Sequence, residues 1–208
     1  NFLGGMAAVG LIDLTPKLNK AQVFGGQRRI VAGPGRSMLM NSGEKLTDLW
    51  LYNNSLPGPE IRIKEGELLD VYFQNKLTTP TTIHWHGVKV PNAMDGVSGL
   101  TQPAVEPGEA FSYKFRIFEP GTYWYHAHTM GWEQVARGLY GPLIVEGVKD
   151  FETDHDITMM VDDWRLDKDG QIDEASMGSL HDWAHRGRLG NWLTINGKSQ
   201  FKTSVKIN

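Results

Sequence analysis

The strongest constraint on the fold is a series of short segments in which apolar and polar residues alternate. Proline and glycine close nearly every segment, as in Glu106-Pro107-Gly108 and Glu119-Pro120-Gly121. These residues mark turns because they adopt the backbone angles that tight turns require. The predicted strands are residues 46–52, 60–64, 68–75, 81–86, 110–117, 121–128 and 141–146. Only residues 132–137 indicate a short helix, so an all-β sandwich is the expected architecture.

The chain of 208 residues contains no cysteine. Disulfides, iron–sulfur clusters, thiolate-bound zinc and any copper site that needs a thiolate from this chain are therefore excluded. Lysine and arginine number 21 against 24 aspartates and glutamates, which gives a net charge of −3. A nucleic-acid-binding surface is normally strongly basic, so no nucleic-acid partner is expected.

The first residues, from Asn1 to Ile12, form an apolar run rich in glycine and alanine. The run is shorter than the ~20 residues of a membrane-spanning helix, so no membrane span is expected. It resembles the part of a twin-arginine export signal that follows its arginine pair. We interpret residues 1–21 as the remnant of such a signal, cleaved after Ala21, which predicts a periplasmic or secreted protein. The alternative is a strand or helix at the start of the folded domain.

A change in composition near residue 150 predicts a domain boundary. We assign residues 22–148 to a first domain and residues 149–208 to a linker and part of a second domain. In the second part, strands are expected at residues 157–161, at the start of 192–198, and at 201–207. The stretch 165–191 is polar and loop-like. Since no turn or polar tail follows the last strand, we expect this domain to continue beyond Asn208.

Four of the seven histidines form two pairs, His84-Trp85-His86 and His126-Ala127-His128. On a β-strand, residues i and i+2 project from the same face, so each pair presents two imidazoles together. Two such strands side by side would bring four imidazoles to one place. Neutral imidazole binds copper, zinc, iron and nickel. No acidic residue lies within two positions of either pair, which favours copper and leaves zinc as the alternative.

An ordered set of motifs surrounds these pairs between residues 46 and 147. The motifs are Leu56-Pro57-Gly58-Pro59, Ile83-His84-Trp85-His86-Gly87, Met94-Asp95-Gly96-Val97, Gln102-Pro103, Gly121 to His128, and Arg137 to Val145. In this order they resemble the N-terminal cupredoxin domain of the multicopper oxidases, the laccase family. Residues from Asp162 to Gly197 resemble the start of the second domain in bacterial three-domain members. The resemblance implies a cupredoxin-like Greek-key β-sandwich followed by the beginning of a second cupredoxin-like domain.

The resemblance also implies a role for each histidine in a trinuclear copper cluster, which lies between the first and last domains of such oxidases. His84 would bind the type 2 copper, and His86, His126 and His128 would bind the type 3 coppers. Asp95 matches an acidic residue that helps to deliver protons to reduced oxygen. The alternative for Asp95 is a turn residue that caps the Asp95-Gly96 turn.

The implied activity couples one-electron oxidation of phenolic or similar donors, or of cuprous ion, to four-electron reduction of O₂ to water. Electrons would enter at a type 1 copper, which needs a cysteine thiolate that this chain lacks. We therefore expect the isolated chain to be inactive, to hold half of the cluster's ligands, and to be completed by C-terminal cupredoxin domains of a longer protein. The alternatives are a natural short form, a separate chain that carries the cysteine, and a non-catalytic exported scaffold or copper-binding protein.

Overall fold

The computed structural model describes residues 18–24, 26–40, 45–148, 153–184 and 187–203. Within them the strands are, in chain order, β1 (Val23–Phe24), β2 (Gln27–Ser37), β3 (Thr47–Tyr52), β4 (Ile61–Lys64), β5 (Leu68–Asn75), β6 (Ile83–His86), β7 (Ala110–Arg116), β8 (Gly121–Ala127), β9 (Tyr140–Glu146), β10 (Val161–Trp164) and β11 (Trp192–Ile195). The helices are α1 (Gly131–Gln134) and α2 (Leu180–Ala184), and 3₁₀ turns occupy Asn92–Met94 and Glu174–Ser176. None of the described helices is long and apolar enough to cross a membrane. Most of the predicted export signal lies outside the described residues.

The first nine strands form two sheets. One sheet has the order β1-β2-β5-β7, with β3 also paired to β2, and the other has the order β4-β9-β8-β6. The β2–β5 and β4–β9 pairs are parallel, and the other pairs in these sheets are antiparallel. The predicted all-β sandwich is therefore confirmed. Strands adjacent in a sheet are mostly distant in sequence, as expected when the chain crosses between two sheets.

Alternation along the strands turns one face of each sheet toward a shared core. In β5, Leu69, Val71 and Phe73 are fully buried, whereas the residues between them are partly exposed. Trp85 of β6 and Tyr125 of β8 belong to the same cluster from the opposite sheet. Complete burial of one such apolar side chain contributes roughly 1.5–3 kcal/mol. This core therefore holds β6 and β8, the two strands that carry the histidine pairs, in fixed positions.

The longest strand, β2, does not follow from the sequence pattern. The triplet Gly33-Pro34-Gly35 indicates a turn, yet β2 runs through it from Gln27 to Ser37. Pro34 falls in the part of β2 that pairs only with β3 among the described residues, where its missing N–H is tolerated. At Gly35 a Cβ atom would lie 2.7 Å from the Leu51 side chain. Gly35 therefore serves the close packing of strands rather than a change of direction.

Residues after 153 form a separate two-stranded antiparallel sheet of β10 and β11. The strand expected at residues 157–161 is wrong, because β10 begins at Val161 and continues through Asp162 and Asp163 to Trp164. Asp162 is accommodated in the strand because it accepts a 2.6 Å hydrogen bond from the Tyr140 hydroxyl. Trp164 is buried, and its indole N–H donates to Thr194 Oγ1 at 2.8 Å.

The remaining expectations for this region have mixed outcomes. The strand at the start of 192–198 is confirmed as β11, and Asn196 and Gly197 form the turn at positive φ. The stretch 165–191, expected as loop, includes the helix α2. Residues 201–203 are not in a strand, and the rest of the strand expected at 201–207 lies outside the described residues.

A second apolar cluster joins these later residues to the sandwich. Its members come from both parts of the chain: Leu39, Leu49, Leu51, Tyr140, Trp164, Leu166 and Ile172. Arg137 reinforces the contact with hydrogen bonds of 2.8 and 2.6 Å to the two carboxylate oxygens of Glu174. The boundary near residue 150 remains a prediction, since residues 149–152 lie outside the described part of the chain.

Candidate metal centre

The two histidine pairs lie on neighbouring antiparallel strands, β6 and β8. In their register His84 lies opposite His126, and His86 lies opposite Trp124. Residues between the histidines point the other way, because Trp85 and Ala127 are both fully buried in the core. The face opposite the core is therefore the one that carries imidazoles, as the alternation predicts.

Three of the four predicted histidines form a compact group of metal-binding atoms. One ring nitrogen from each of His84, His86 and His126 lies within 4.8 Å of the other two. The closest pair is His86 Nδ1 and His126 Nε2, at 3.1 Å. Three nitrogen atoms at these separations can bind one ion or two adjacent ions.

His128 lies just beyond the end of β8 and outside this group of three. Its ring centroid is 5.0 Å from that of His84 and 6.1 Å from that of His126, and the residue is exposed. The two strands are neighbours, but the histidine pairs are offset along them, so His84 and His126 are the only two of the four histidines that lie directly opposite each other. His128 is thus near the group but is placed by the chain that follows the strand.

Asp95 orients the His84 ring through a hydrogen bond from Nδ1. The backbone carbonyl of Asp95 accepts a 2.7 Å hydrogen bond from His84 Nδ1, and the Asp95 carboxylate Oδ1 is 3.5 Å from the same nitrogen. A carbonyl can only accept, so Nδ1 carries a proton, and in the neutral ring Nε2 is then the nitrogen whose lone pair can bind a ligand. Asp95 ends the 3₁₀ turn, and the following Gly96 at φ +77° passes so close to Ile83 that a Cβ atom would collide with its carbonyl.

His126 is neutral in this environment. Burial, together with the neighbouring histidines, lowers the pKa of His126 to about 4, although the hydrogen bond to Ala127 acts in the opposite direction. His126 Nδ1 donates to the Ala127 carbonyl at 2.9 Å, which leaves Nε2 as the acceptor for the Nδ1–H of His86.

The donor set fits a borderline transition metal such as copper or zinc. All three convergent ligands are imidazoles, and carboxylate oxygens, which hard cations prefer, are absent from the group found among the described residues. His84 and His126 each donate the Nδ1–H to a backbone carbonyl, and metal-binding histidines usually donate the N–H of the non-ligating nitrogen in this way. The residues present therefore fit a copper site.

Trp124 also lies next to the site, and a search of the sequence for metal ligands does not identify it. Trp124 lies two positions before His126, so it shares the face of the histidines, and its ring centroid is 4.2 Å from that of His126. The alternation of β8 provides the signal that places it there.

The sandwich and its histidine face define a cupredoxin-like domain with a candidate copper site. The family model described as "Multicopper oxidase" matches residues 36–150. The chain belongs to the multicopper oxidase family.

Curated relatives agree with this membership. The chain is 44% identical over 114 residues to copper resistance protein A of Pseudomonas syringae pv. tomato, which covers 54% of this chain and 18% of the relative. It is 35% identical over 164 residues to laccase-2 of Cryptococcus neoformans var. grubii, which covers 73% of this chain and 27% of the relative. The chain thus spans well under a third of the length of these relatives.

Solved structures agree as well. A multicopper oxidase from Pseudomonas thermotolerans superposes with a TM-score of 0.78 at 35% identity, over 83% of this chain and 41% of that one. Lac15 from a marine microbial metagenome superposes with a TM-score of 0.69 at 44% identity, over 80% of this chain and 41% of that one.

Proposed function

We propose that this chain supplies half of the histidine ligands of a trinuclear copper cluster in a laccase-like oxidase. The observation that carries the proposal is the convergence of His84, His86 and His126 on one face of the second sheet. Membership of the multicopper oxidase family makes copper the metal to expect among those that imidazole binds. When bound, copper supplies one-electron acceptance from a donor and the four-electron reduction of O₂ to water.

Each histidine is assigned a place in this cluster. We assign His84 to the type 2 copper, and His86, His126 and His128 to the type 3 coppers. In support, the ring nitrogens of the first three converge, and His128 is exposed beside His84, where its ring can turn toward an ion. The rings of His84 and His126 are oriented by hydrogen bonds to backbone carbonyls, so little reorganisation is needed before they bind a metal.

Asp95 is proposed to deliver protons to the site. Its carboxylate lies 3.5 Å from His84 Nδ1, and 29% of its side chain is exposed. A carboxylate that touches both water and the site can take a proton from solvent and hold it on Oδ1 beside the histidines. Its role in ending the turn through Asn92–Met94 is compatible with this one, because the turn is what places the carboxylate.

The proposal requires a partner for the other half of the ligands. We propose that C-terminal cupredoxin domains of a longer protein supply them, together with the type 1 copper site and its cysteine. The relatives support this, since the chain covers only 18% of copper resistance protein A and 27% of laccase-2. The donor, whether a phenol or cuprous ion, would then bind near those domains, and residues 1–21 would direct export to the periplasm or medium.

Copper loading of the 208-residue chain tests the metal site. We expect the wild-type chain to retain at least about one copper per molecule after desalting, as expected for several convergent imidazoles. The double variant His84→Ala, His126→Ala should lose it. His155→Ala is the matched control, because His155 is exposed and lies outside the histidine group, so it should retain wild-type copper. A wild-type chain that retains neither copper nor zinc would overturn the proposed site.

Oxygen uptake tests the reaction. We expect the longer gene product to consume O₂ with a phenolic donor or cuprous ion, and the isolated 208-residue chain to consume none. A longer product that binds its coppers but consumes no O₂ with either donor would refute the oxidase and support a non-catalytic scaffold.

A further inference from the structure

The pairing of β6 with β8 creates a block of four side chains on the metal-binding face. His84 lies opposite His126, and His86 lies opposite Trp124. Within each strand the two residues are two positions apart and so share the face. Three corners of the block are therefore imidazoles whose nitrogens converge, and the fourth corner is an indole.

The indole of Trp124 lies against two of the three convergent imidazoles. Its ring centroid is 4.2 Å from that of His126 with a 30° angle between planes, and 4.9 Å from that of His86 with an angle of 32°. The His86 contact has the separation of an offset aromatic pair, and the His126 contact is slightly closer. His86 and His126 are also the two rings whose nitrogens approach to 3.1 Å. One side chain thus covers the closest pair of candidate ligands.

This contact matters most for His86, which is otherwise exposed. An exposed imidazole on a strand can rotate about its side-chain bonds, and a metal must then select one orientation at an entropic cost. The indole removes part of that freedom before an ion arrives. A ligated imidazole carries more positive charge than a free one, so its contact with the electron-rich face of an indole becomes more favourable.

Trp124 is itself held from the other side. It is half-buried and packs against the second apolar cluster, which includes Trp164, Leu166 and Ile172 from the residues after 153. This packing restricts the movement of the indole. It transmits the rigidity of the second core to the two histidines.

We propose that Trp124 is a positioning residue of the copper site, which fixes the rings of His86 and His126 in the orientation that shares a metal. This inference rests on the proposed function. The indole is not a ligand, because its nitrogen carries a hydrogen and has no free lone pair. Residues that orient metal ligands commonly change metal affinity by about 10- to 100-fold when they are replaced.

The test compares three variants of the 208-residue chain loaded with Cu(II) alone. Trp124→Leu removes the aromatic surface, and Trp124→Phe retains a smaller ring. Trp192→Phe is the matched control, because Trp192 packs against the same second cluster and donates to the Leu39 carbonyl, but its ring makes no described contact with a histidine. The readouts are the Cu(II) dissociation constant, measured by competition with a chelator, and the hyperfine splitting of the bound ion in the electron paramagnetic resonance spectrum.

We expect Trp124→Leu to weaken Cu(II) binding at least about tenfold and to change the hyperfine splitting, with Trp124→Phe between it and the wild type. Trp192→Phe should leave the affinity within about twofold and the spectrum unchanged, because it loosens the cluster without touching a ligand. Wild-type affinity and spectrum in Trp124→Leu would overturn the inference, as would equal effects from Trp192→Phe.

The outcomes also separate this inference from the function on which it rests. If the wild-type chain binds no Cu(II), both the proposed copper site and the positioning role of Trp124 are wrong. If the wild-type chain binds Cu(II) and replacement of Trp124 changes nothing, only the positioning role is wrong. If near-ultraviolet circular dichroism shows that Trp124→Leu is unfolded, Trp124→Phe decides. An unchanged spectrum and affinity in that variant would then count against the proposal.

Discussion

Removal of one hydroxyl, in Tyr140→Phe, tests how the residues after 153 are held on the sandwich. Tyr140 is 4% exposed, and its hydroxyl donates a 2.6 Å hydrogen bond to Asp162 Oδ2. Burial raises the pKa of the Asp162 carboxyl, and the hydrogen bond from Tyr140 lowers it in part. The hydroxyl therefore offsets some of the unfavourable free energy of a charge held in β10.

The magnitude follows from the kind of bond. A hydrogen bond to a charged group contributes about 1.5–3 kcal/mol, so Tyr140→Phe should lower the free energy of unfolding at pH 7 by about 2 kcal/mol. The pKa of Asp162 is higher in the folded state than in the unfolded state, so its effect on stability is most favourable below the ordinary value of 3.8 and is lost as pH rises through the raised pKa. At low pH, where the acid is neutral, the loss from Tyr140→Phe should fall to about 1 kcal/mol.

Urea unfolding of the 208-residue chain at pH 7 and at pH 3, which is below the ordinary pKa of 3.8 for an aspartate, measures both effects. Asp162→Asn is the matched control, because an amide oxygen can still accept the tyrosine hydrogen but carries no charge. This control should be at least as stable as the wild type at pH 7 and less dependent on pH. A Tyr140→Phe chain within about 0.5 kcal/mol of the wild type at pH 7, the range of an unimportant surface change, would refute the reasoning.

Two further perturbations test the turn behind the site and the contact between the two parts of the chain. Gly96→Ala places a Cβ atom against the Ile83 carbonyl at positive φ, so it should cost about 1–3 kcal/mol and reduce copper retention, and wild-type thermal stability with full copper would contradict this. Arg137 lowers the pKa of Glu174, so their contribution is present at pH 7 and is lost as pH falls through the lowered pKa. Glu174 is largely exposed, so Glu174→Gln should cost less than about 1 kcal/mol in urea unfolding at pH 7, and a loss that persists in acid would count against the pairing.

The parts of the fold that the sequence predicts are those that depend on local alternation. Residues 68–75 are a strand in the structure as expected, and Trp85 points into the core between two outward histidines. The alternation of apolar and polar residues has a period of two and is visible in neighbouring residues. The two faces of a strand can therefore be assigned without knowledge of the strand with which it pairs. Alternation likewise puts Tyr113 and Phe115 on one face of β7, and both are buried.

The parts that the sequence does not predict depend on contacts between distant residues. The triplet Gly33-Pro34-Gly35 by itself indicates a turn. The side chain that requires a glycine at position 35 is Leu51, which lies sixteen residues further along the chain and is not visible in the local sequence. Asp162 enters a strand because Tyr140 provides a hydrogen bond, which the local sequence cannot show. For the candidate site, the sequence identifies the four histidines as candidate ligands. It does not identify the strand register that places His86 opposite Trp124. The copper roles of the histidines and of Asp95 remain predictions.

The single overlap between the two histidine pairs has a consequence for how this site tolerates change in chain length. A one-residue insertion within β8 before His126 would reverse which residues face the core, so the histidine would exchange places with a buried neighbour. A shift of two residues would preserve the faces and pair His84 with His128 and His86 with His126, so Trp124 would no longer lie opposite His86. In the native register, only His84 and His126 lie opposite each other. It leaves His84, His86 and His126 within the paired strands, and it places His128 just beyond the end of β8, exposed beside His84.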